Sequence, residues 1–356
     1  MRAIAFARGS SNPRVIDVER PEPSAGEALV RTLRVGIDGT DHEVIKENHG
    51  GFPAGADYQI LGHEAVGVVE DANGTDLEEG DLVVPTVRRP PGMETNEYFE
   101  RGEPDMAPAG AYVERGIAGA HGYMVEYFTS PTEFLVPVPE LFAETGFLVE
   151  PISNAEKALE LAEASRSSFT WDPQAAIVLG NGPLGLLTLG ILAERPEFDR
   201  LYCLGRRDRP DPTIDIIERL GATYVDSRQT PVTDLSTVYE PMDLIIEATG
   251  YARHGFETVC ALAPNGVGAL LGIPDDWSFE IEGGALHREF VLENKSLVGS
   301  VNSHLPHFES AIGTLTAYPE WLTEAIVTHV FEPTEVDSAF ESGDDRIKTV
   351  IQFDQL

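Results

Sequence analysis

The sequence has little cysteine and no long apolar run, and each shortage excludes a class of protein. Two cysteines, Cys203 and Cys260, stand among 356 residues, too few for a disulfide framework or a cysteine-rich zinc module. No apolar run approaches the roughly 18 residues that cross a bilayer. Residues 1–4 lack the apolar stretch of a signal peptide. We therefore expect a cytoplasmic protein that does not enter a membrane.

Positive charge is also scarce. The chain has 25 Lys and Arg against 60 Asp and Glu, a net charge of −35, and only four of the basic residues are lysines. Phosphates would be repelled, so nucleic-acid binding is not expected. A lysine-poor acidic surface suits molar salt, where the Debye length falls to about 3 Å and self-repulsion is screened. An ordinary acidic cytosolic protein is the alternative. The size of the negative charge and the shortage of lysine together favour a protein adapted to the salt-rich cytoplasm of a halophile.

The composition still allows a large core. Hydrophobic residues make up 42% of the chain, and the length predicts about two domains. In the first 150 residues, the apolar pattern predicts strands at Met1–Ala7, Glu27–Ile37 and Leu61–Val69. A loop-like stretch follows between Pro85 and Gly116, and residues 144–164 have helical spacing.

From Trp171 onward, short apolar strands alternate with helices. Strands are predicted at Ala175–Leu179, Leu201–Leu204, Asp243–Glu247, Val267–Leu271 and Ser296–Val301, and helices at Leu184–Ala193 and Thr213–Leu220. This βαβ rhythm predicts a doubly wound parallel sheet. A helical stretch over residues 307–327 and a last strand at Thr349–Phe353 follow, and we expect that strand to rejoin the first domain.

A glycine-rich loop lies between the first strand and the first helix of this second region. Its residues are Gly180, Asn181, Gly182, Pro183, Leu184 and Gly185. In a G-x-G-x-x-G loop the glycines make the tight turn, let the backbone approach a pyrophosphate and let helix and strand pack closely. The helix N-terminus then presents free N–H groups to the phosphates. The strand and helix around the loop predict a dinucleotide site.

The next strand ends in two arginines. NAD-specific sites usually carry an acidic residue here for the ribose 2′-hydroxyl. This chain has Gly205 followed by Arg206 and Arg207. Guanidinium groups pair well with phosphate, so the pattern favours NADP with NAD as a secondary cofactor. A solvated surface turn is the alternative.

Three acidic or imidazole side chains in the first region suggest a metal site. Asp38 follows the strand at Glu27–Ile37, His63 lies in Gly62–Glu64, and Glu150 opens the helical stretch. Each has a plain alternative: a turn, a hydrogen-bonded histidine and a helix start. Their spacing leaves both interpretations open.

Together these motifs resemble the zinc-dependent medium-chain alcohol dehydrogenase superfamily along essentially the whole chain. The resemblance rests on Gly36–Asp41, Gly62–Glu64, Glu150 and Gly180–Gly185. Within the superfamily, the chain looks most like the glucose dehydrogenases of halophilic archaea. The features that suggest this branch are Asp38 where most relatives have cysteine, residues 114–116, 205–207 and 299–302.

The resemblance implies roles for individual residues. It implies one catalytic zinc per chain on Asp38, His63 and Glu150, with Glu64 able to exchange into the shell, and Thr40 as the hydroxyl that relays the substrate proton. It places Glu114, Glu150 and Asn302 on sugar hydroxyls and Gly272, Ser300 and Asn302 beside the nucleotide. The second, structural zinc of many relatives is not expected, because residues 88–105 contain no cysteine. The usual relay histidine is replaced by Glu43, with His42 one place early.

The resemblance implies an α/β fold with a GroES-like catalytic domain, at 1–153 and 303–356, and a Rossmann nucleotide-binding domain at 154–302. The expected reaction is oxidation of D-glucose, and of related aldoses, at C1 to glucono-1,5-lactone by NADP. A polyol, threonine or secondary-alcohol dehydrogenase and a zinc-free quinone reductase-like protein are the alternatives. A homodimer or homotetramer is expected, with residues 285–302 as an interface.

Overall fold

The computed structural model describes residues 1–356, apart from the side chain of Met93, and the chain divides into two units. The first unit comprises Met1–Ser153, Asn302–Thr316 and Val327–Leu356. The second comprises Asn154–Val301 and Ala317–Ile326. No helix among the described residues is long and apolar enough to span a membrane.

The structure contains nineteen strands in the described chain. In chain order they are β1 Arg2–Ala7, β2 Arg14–Asp17, β3 Glu27–Ile37, β4 Tyr58–Ile60, β5 Glu64–Asp71, β6 Leu82–Pro85, β7 Arg88–Arg89, β8 Val113–Arg115, β9 Gly119–Ala120, β10 Tyr127–Pro131, β11 Leu135–Pro137, β12 Ala175–Leu179, β13 Arg200–Gly205, β14 Thr223–Asp226, β15 Met242–Glu247, β16 Leu262–Leu270, β17 Ser296–Gly299, β18 Val327–Phe331 and β19 Lys348–Gln352.

The described chain contains eleven α-helices and seven short 3₁₀ turns. The α-helices are α1 Gly39–Ile45, α2 Glu97–Glu100, α3 Val149–Ala164, α4 Pro183–Ala193, α5 Pro212–Arg219, α6 Leu235–Val238, α7 Ala252–Ala261, α8 Gly283–Glu293, α9 Leu305–Ala317, α10 Glu320–Ile326 and α11 Val336–Ala339. Single 3₁₀ turns lie at Pro91–Met93, Pro104–Met106, Thr132–Phe134, Glu140–Phe142, Gly146–Leu148, Val232–Asp234 and Pro333–Glu335.

The first unit is built around β3. This strand pairs antiparallel with β5, β10 and β19 in a seven-stranded sheet, and most of its residues are buried. The pairing of β19 with β3 returns the C-terminal strand to the first unit, as the sequence predicted. Two three-stranded sheets, β2-β1-β4 and β7-β8-β9, complete the unit. β3 ends at Ile37, directly before Asp38. Because β3 is mostly buried and paired on both sides, it fixes the position of the Asp38 backbone.

The second unit contains a six-stranded parallel sheet in the order β14-β13-β12-β15-β16-β17. Its central strand β12 is wholly buried, as expected of a parallel strand covered on both faces. Helix α4, which follows β12, is also mostly buried. The α/β fold class with a doubly wound parallel sheet is confirmed.

The helical stretch expected over residues 307–327 consists of two helices. α9 ends at Ala317 and α10 begins at Glu320, with Pro319 between them. A proline lacks the N–H that would continue the helix, which accounts for the break. Residues 317–326 belong to the second unit, where Tyr318 donates from its hydroxyl to the carbonyl of Leu187 at 2.5 Å. The family resemblance had implied that these residues belong to the catalytic domain.

Candidate active site

Asp38 occupies the N-cap of α1. Its Oδ1 accepts from the backbone N–H of Asp41 at 3.1 Å, and Asp41 Oδ2 accepts from the backbone N–H of Asp38 at 3.1 Å. This reciprocal capping box fixes the direction in which the chain leaves β3. The hydroxyl of Thr40, in the first turn of α1, also hydrogen-bonds to Asp38. Asp38 and Thr40 therefore lie at one point at the end of the central strand.

His63 lies next to Asp38 and belongs to two clusters of metal-ligating side chains. Its Nε2 is 3.7 Å from Asp38 Oδ2. Asp38, Asp41 and His63 form one cluster, and His63, Glu64 and Glu150 form the other; within each, the ligand atoms lie within 4.8 Å of one another. The predicted metal residues Asp38, His63, Glu64 and Glu150 are thus brought together in the first unit.

The charges of this site are strongly coupled. Burial would lower the pKa of His63, but Asp38, Asp41, Glu150 and Glu64 outweigh it and raise that pKa to about 9. Burial, with the repulsion of Asp38 and Glu64, raises the pKa of Asp41 to about 7. Several carboxylates are therefore held out of water around one imidazole, an arrangement that costs free energy unless cationic groups balance their charge.

The donor set fits a zinc ion. Zinc binds imidazole nitrogen and carboxylate oxygen, and catalytic sites use three protein ligands with one open position. The buried Nδ1 of His63 has no hydrogen-bond partner in the described chain, so the ring is not committed to other contacts on that side. Replacing the usual thiolate with Asp38 gives a harder set of ligands.

Lys348 is a residue of this site that no sequence motif indicated. Its ammonium forms an ion pair with Glu64, and both side chains are almost wholly buried. Gly36 leaves the space for this pair: a Cβ there would lie 2.2 Å from Glu64 Oε2 and 2.9 Å from Lys348 Cε. A lysine directly before a predicted apolar strand, in a chain with four lysines, was the available signal.

Asp41 ends the motif Gly36–Asp41, but no role of its own was predicted for it. Its Oδ1 accepts from the backbone N–H of Gly62 at 3.1 Å, which fixes the turn that leads to His63. The signal was its place three residues after Asp38, the spacing of a capping box.

The predicted sugar residues Glu114 and Asn302 lie together in the first unit. Asn302 Nδ2 is 3.4 Å from Glu114 Oε1. Asn302 has a left-handed backbone, with φ of 56°. The next residue, Ser303, hydrogen-bonds through its hydroxyl to that of Ser153 at 2.6 Å, and Ser153 donates to the carbonyl of Glu150 at 2.6 Å. These contacts link Asn302 to the segment that carries Glu150.

A third cluster, Asp105, His304 and His307, lies in the same unit. His304 Nδ1 is 3.0 Å from Asp105 Oδ1, and the Asp105 side chain is fully buried. The backbone N–H of His304 donates to His307 Nδ1 at 3.3 Å. No sequence motif indicated this cluster, because Asp105 is remote in the chain from His304 and His307.

In the second unit, the glycine loop has the form of a dinucleotide cradle. Gly180 has φ of 116°, in the left-handed region, and a Cβ on Gly185 would lie 2.0 Å from the carbonyl oxygen of Gly180. A Cβ on Gly182, the N-cap of α4, would meet nothing within 4 Å. The loop therefore needs glycine for its turn and its helix contact and leaves open space at the helix N-terminus, which fits a pyrophosphate.

The arginines at the end of β13 differ in their surroundings. Arg206 is exposed. Arg207 is partly buried, its Nε lies 3.9 Å from Asp211 Oδ2, and its backbone N–H donates to the Tyr224 hydroxyl at 2.7 Å.

Gly205, at the end of β13, does not leave open space beside its backbone. A Cβ there would lie 2.6 Å from Asn181 Oδ1. Asn181 Nδ2 in turn donates to the Thr213 hydroxyl at 2.6 Å. The glycine thus accommodates the side chain of a loop residue.

Gly272 and Ser300 lie at the carboxyl end of the same parallel sheet. A Cβ on Gly272 would lie 2.1 Å from the backbone nitrogen of Gly250. Ser300 donates its backbone N–H to the carbonyl of Leu270 at 3.0 Å. In open α/β sheets, ligands bind outside the carboxyl ends of the strands. Asn302, the remaining residue predicted at the nucleotide, belongs to the first unit.

The chain matches two protein families. Residues 24–140 match the alcohol dehydrogenase GroES-like domain, and residues 143–353 match the glucose dehydrogenase C-terminus. Similar proteins include the glucose 1-dehydrogenases of Haloferax mediterranei, 65% identical with 99% of each chain covered, and of Haloarcula marismortui, 63% identical with 100% of each covered.

A solved structure of the Haloferax mediterranei glucose dehydrogenase, in complex with NADP, Zn and gluconolactone, has 65% identity to this chain. The two match with a TM-score of 0.98 and 100% coverage of each. Identity at this level over the full length of both proteins confirms the resemblance that the motifs indicated. The chain belongs to the glucose dehydrogenase family of medium-chain dehydrogenases.

Proposed function

We propose that this protein oxidises β-D-glucose at C1 and transfers the hydride to NADP. The C1–H bond breaks with its electron pair passing to the nicotinamide, the C1 hydroxyl loses its proton, and a C=O bond forms. The products are glucono-1,5-lactone, NADPH and a proton. The observation that carries the proposal is the pair of clusters that share His63, one with Asp38 and Asp41 and the other with the buried Glu64 and Glu150, in a chain 65% identical to a glucose 1-dehydrogenase.

Asp38, His63 and Glu150 hold the zinc ion in this proposal, and Glu64 is an alternative ligand. When bound, zinc supplies Lewis-acid polarisation of the oxygen that is being oxidised. The capping box at Asp38 keeps its carboxylate aimed from the start of α1. The ion pair with Lys348 keeps the Glu64 carboxylate beside His63.

Thr40 takes the substrate proton in the proposed mechanism. Its hydroxyl bonds to Asp38, so it lies at the edge of the proposed ligand set. Glu43, which replaces the usual relay histidine, accepts from Lys46 Nζ at 2.7 Å and from Asn48 Nδ2 at 2.9 Å. Both its oxygens are thus engaged at the surface, and we propose that the proton passes from Thr40 to solvent.

Glu114, Glu150 and Asn302 orient the sugar in this proposal. Carboxylates accept hydrogen bonds from hydroxyl groups, and the Asn302 amide can donate or accept. Holding the ring at several hydroxyls places C1 for hydride transfer, which lowers the entropic part of the barrier.

NADP binds to the second unit in this proposal. It supplies the hydride acceptor. Its pyrophosphate lies on the loop Gly180–Gly185 and the N-terminus of α4, and Arg206 with Arg207 contacts the 2′-phosphate. Gly272 and Ser300 border the nucleotide. NAD is a secondary cofactor because the pyrophosphate contacts are common to both.

We also propose a homodimer or homotetramer in the cytoplasm. β17 is the last strand of its sheet, and helix α8 beside it in the chain has no buried residue, with Val291 and Leu292 exposed. An edge strand and exposed apolar side chains are features of an interface. The net charge of −35 with four lysines suits a molar-salt interior. Light scattering of the protein and of a Val291→Glu, Leu292→Glu variant tests the assembly.

A substrate panel tests the reaction. The purified protein, in molar KCl with zinc, is given NADP and glucose, galactose, xylose, a polyol or a secondary alcohol, and NADPH formation is measured by absorbance. We expect aldoses to be oxidised and glucose to yield the lactone. Turnover of the polyol or secondary alcohol without aldose oxidation would contradict the proposal, as would full activity without metal.

A further inference from the structure

Arg88 is a buried arginine for which the proposed reaction has given no role. It lies in the two-residue strand β7 and faces Glu114 of β8 as its antiparallel partner. Its Nε donates to Glu114 Oε1 at 3.0 Å, and only 3% of its side chain is exposed. The guanidinium stacks on the Tyr112 ring, 3.6 Å from its centroid.

The remaining donors of Arg88 fix it to a different segment. Nη1 donates to the carbonyl oxygens of Asp105 at 2.8 Å and Pro104 at 3.2 Å. The guanidinium is planar and its donors have a fixed geometry. An arginine anchored at Nη1 and stacked on a ring therefore holds its Nε, and the carboxylate bonded to it, in one place.

The same segment connects to Asn302. Asp105 Oδ1 lies 3.0 Å from His304 Nδ1, and His304 is two residues beyond Asn302, whose amide lies 3.4 Å from Glu114 Oε1. These contacts, together with the covalent chain from Asn302 to His304, form a closed ring that runs from Glu114 through Arg88, Asp105 and His304 to Asn302 and back to Glu114. All its members belong to the first unit.

This ring commits one oxygen of Glu114. Oε1 receives Arg88 Nε and faces the Asn302 amide. A carboxylate offers acceptor sites on both oxygens, so the other oxygen, Oε2, remains to accept from a substrate hydroxyl.

We propose that Arg88 is the positioning residue for sugar recognition, because it fixes Glu114 so that Oε2 accepts one defined hydroxyl of the substrate. The inference rests on the proposed function and goes further, since it assigns the selectivity for that hydroxyl to Arg88, which does not touch the sugar. Lysine cannot replace Arg88, because a point charge lacks the fork that reaches Glu114 and the Asp105 carbonyl together.

The test measures kcat/KM for glucose and for its 2-, 3-, 4- and 6-deoxy analogues in the wild type, Arg88→Lys and Glu114→Gln. In the wild type, one analogue falls below glucose by about tenfold to hundredfold, the range of a hydrogen bond to a charged group. Arg88→Lys removes most of that difference. It lowers kcat/KM for glucose, whereas kcat/KM for the same analogue stays within about threefold of the wild-type value. In the double variant, Glu114→Gln adds less than about threefold to Arg88→Lys.

Arg89→Lys is the matched control. Arg89 is the next residue and is also buried, but its guanidinium bonds to the Tyr123 hydroxyl at 2.9 Å and to the Thr86 hydroxyl at 3.0 Å. Arg89→Lys should lower the melting temperature without changing the ratio of kcat/KM between glucose and the analogues. If Arg88→Lys does not fold, Tyr112→Leu is used instead, because it removes the ring under the guanidinium and retains the buried charge.

The outcomes separate the two proposals. A wild type that does not oxidise glucose contradicts the proposed function. An active wild type in which Arg88→Lys, or Tyr112→Leu in its place, lowers kcat/KM equally for glucose and every analogue overturns the role of Arg88. Full additivity with Glu114→Gln would overturn it as well.

Discussion

Lys348 and Glu64 form an ion pair beside His63, with 1% and 2% of their side chains exposed. Burial raises the pKa of Glu64, and Lys348 opposes that rise. The attraction of Glu64 and Asp38 exceeds the effect of burial on Lys348, whose pKa is raised. Each charge is therefore held in the interior by the other.

Lys348→Met should lower the free energy of unfolding by about 3–5 kcal/mol, because it leaves the Glu64 carboxylate buried without its cation. Lys348→Met with Glu64→Gln should recover part of this loss, since the unpaired charge is also removed. Denaturant unfolding in molar KCl measures both. Lys46→Met is the control: its pair with Glu43 is exposed and should contribute little. Equal destabilisation by the single and double variants would contradict this account.

Removal of zinc should abolish activity and leave the fold in place. A catalytic ion contributes less to folding than a structural one, and the units have their own cores. Chelator-treated protein and His63→Ala should both lose turnover and keep the wild-type far-ultraviolet circular dichroism. Metal analysis should find one zinc per chain in the wild type and none in His63→Ala. His49→Ala, outside the clusters, should retain both metal and activity; full turnover by metal-free protein would refute the zinc site.

Dilution of salt should destabilise the protein. With a net charge of −35, the acidic side chains repel one another. At about 1 M salt the Debye length is about 3 Å, so the ions screen most of that repulsion. We expect the melting temperature to rise steadily from dilute buffer to molar KCl, and activity lost in dilute buffer to be preserved by KCl. The same melting temperature in both buffers would show that the acidic surface is not an adaptation to salt.

Strong periodic patterns in the sequence predicted much of the fold. The buried runs at Glu27–Ile37 and Ala175–Leu179 have the observed strand bounds, because an apolar run between turn residues has few alternatives. Helices α7 and α8 were not predicted. α8 begins with two glycines, which disfavour a helix, and none of its residues is buried.

The candidate site was predicted unevenly for a related reason. Asp38 and His63 stand in short motifs, and motifs are visible in one sequence. Lys348 and Arg88 act through partners that lie 284 and 26 residues away in the chain. Such pairs form only when strands β19 and β7 are placed in their sheets, and the sequence by itself does not show that placement.

Replacing Arg206 and Arg207 together with glutamine should raise KM for NADP by about tenfold to hundredfold, the effect of losing charge-assisted hydrogen bonds to the 2′-phosphate. KM for NAD should stay nearly unchanged, because the loop Gly180–Gly185 binds the pyrophosphate of both. Arg200→Gln is the control, since Arg200 begins the same strand and pairs with Glu240. Equal weakening of both cofactors would mean that the arginines do not act on the 2′-phosphate.

Gly205→Ala should lower the free energy of unfolding, because the added methyl group clashes with the Asn181 side chain. A Cβ at this position lies 2.6 Å from Asn181 Oδ1, and the amide cannot move without loosening its bond to Thr213 at 2.6 Å. We expect a loss of about 1–3 kcal/mol in the free energy of unfolding, the usual cost of overpacking, and a higher KM for both cofactors, because Asn181 belongs to the pyrophosphate loop.

Gly205→Ala with Asn181→Ala should recover most of that stability, because the smaller side chain removes the clash. Gly221→Ala is not a suitable control, because Gly221 has a φ of 81° and an alanine there would strain the backbone; neither Gly205 nor Gly182 has a positive φ.

The same clash predicts that Gly205→Asp does not by itself change the cofactor preference from NADP to NAD, although aspartate is an acidic residue of the kind found here in NAD-specific relatives. Kinetics of Gly205→Asp with and without Asn181→Ala decide the point: a full switch to NAD in the single variant would show that Asn181 yields freely.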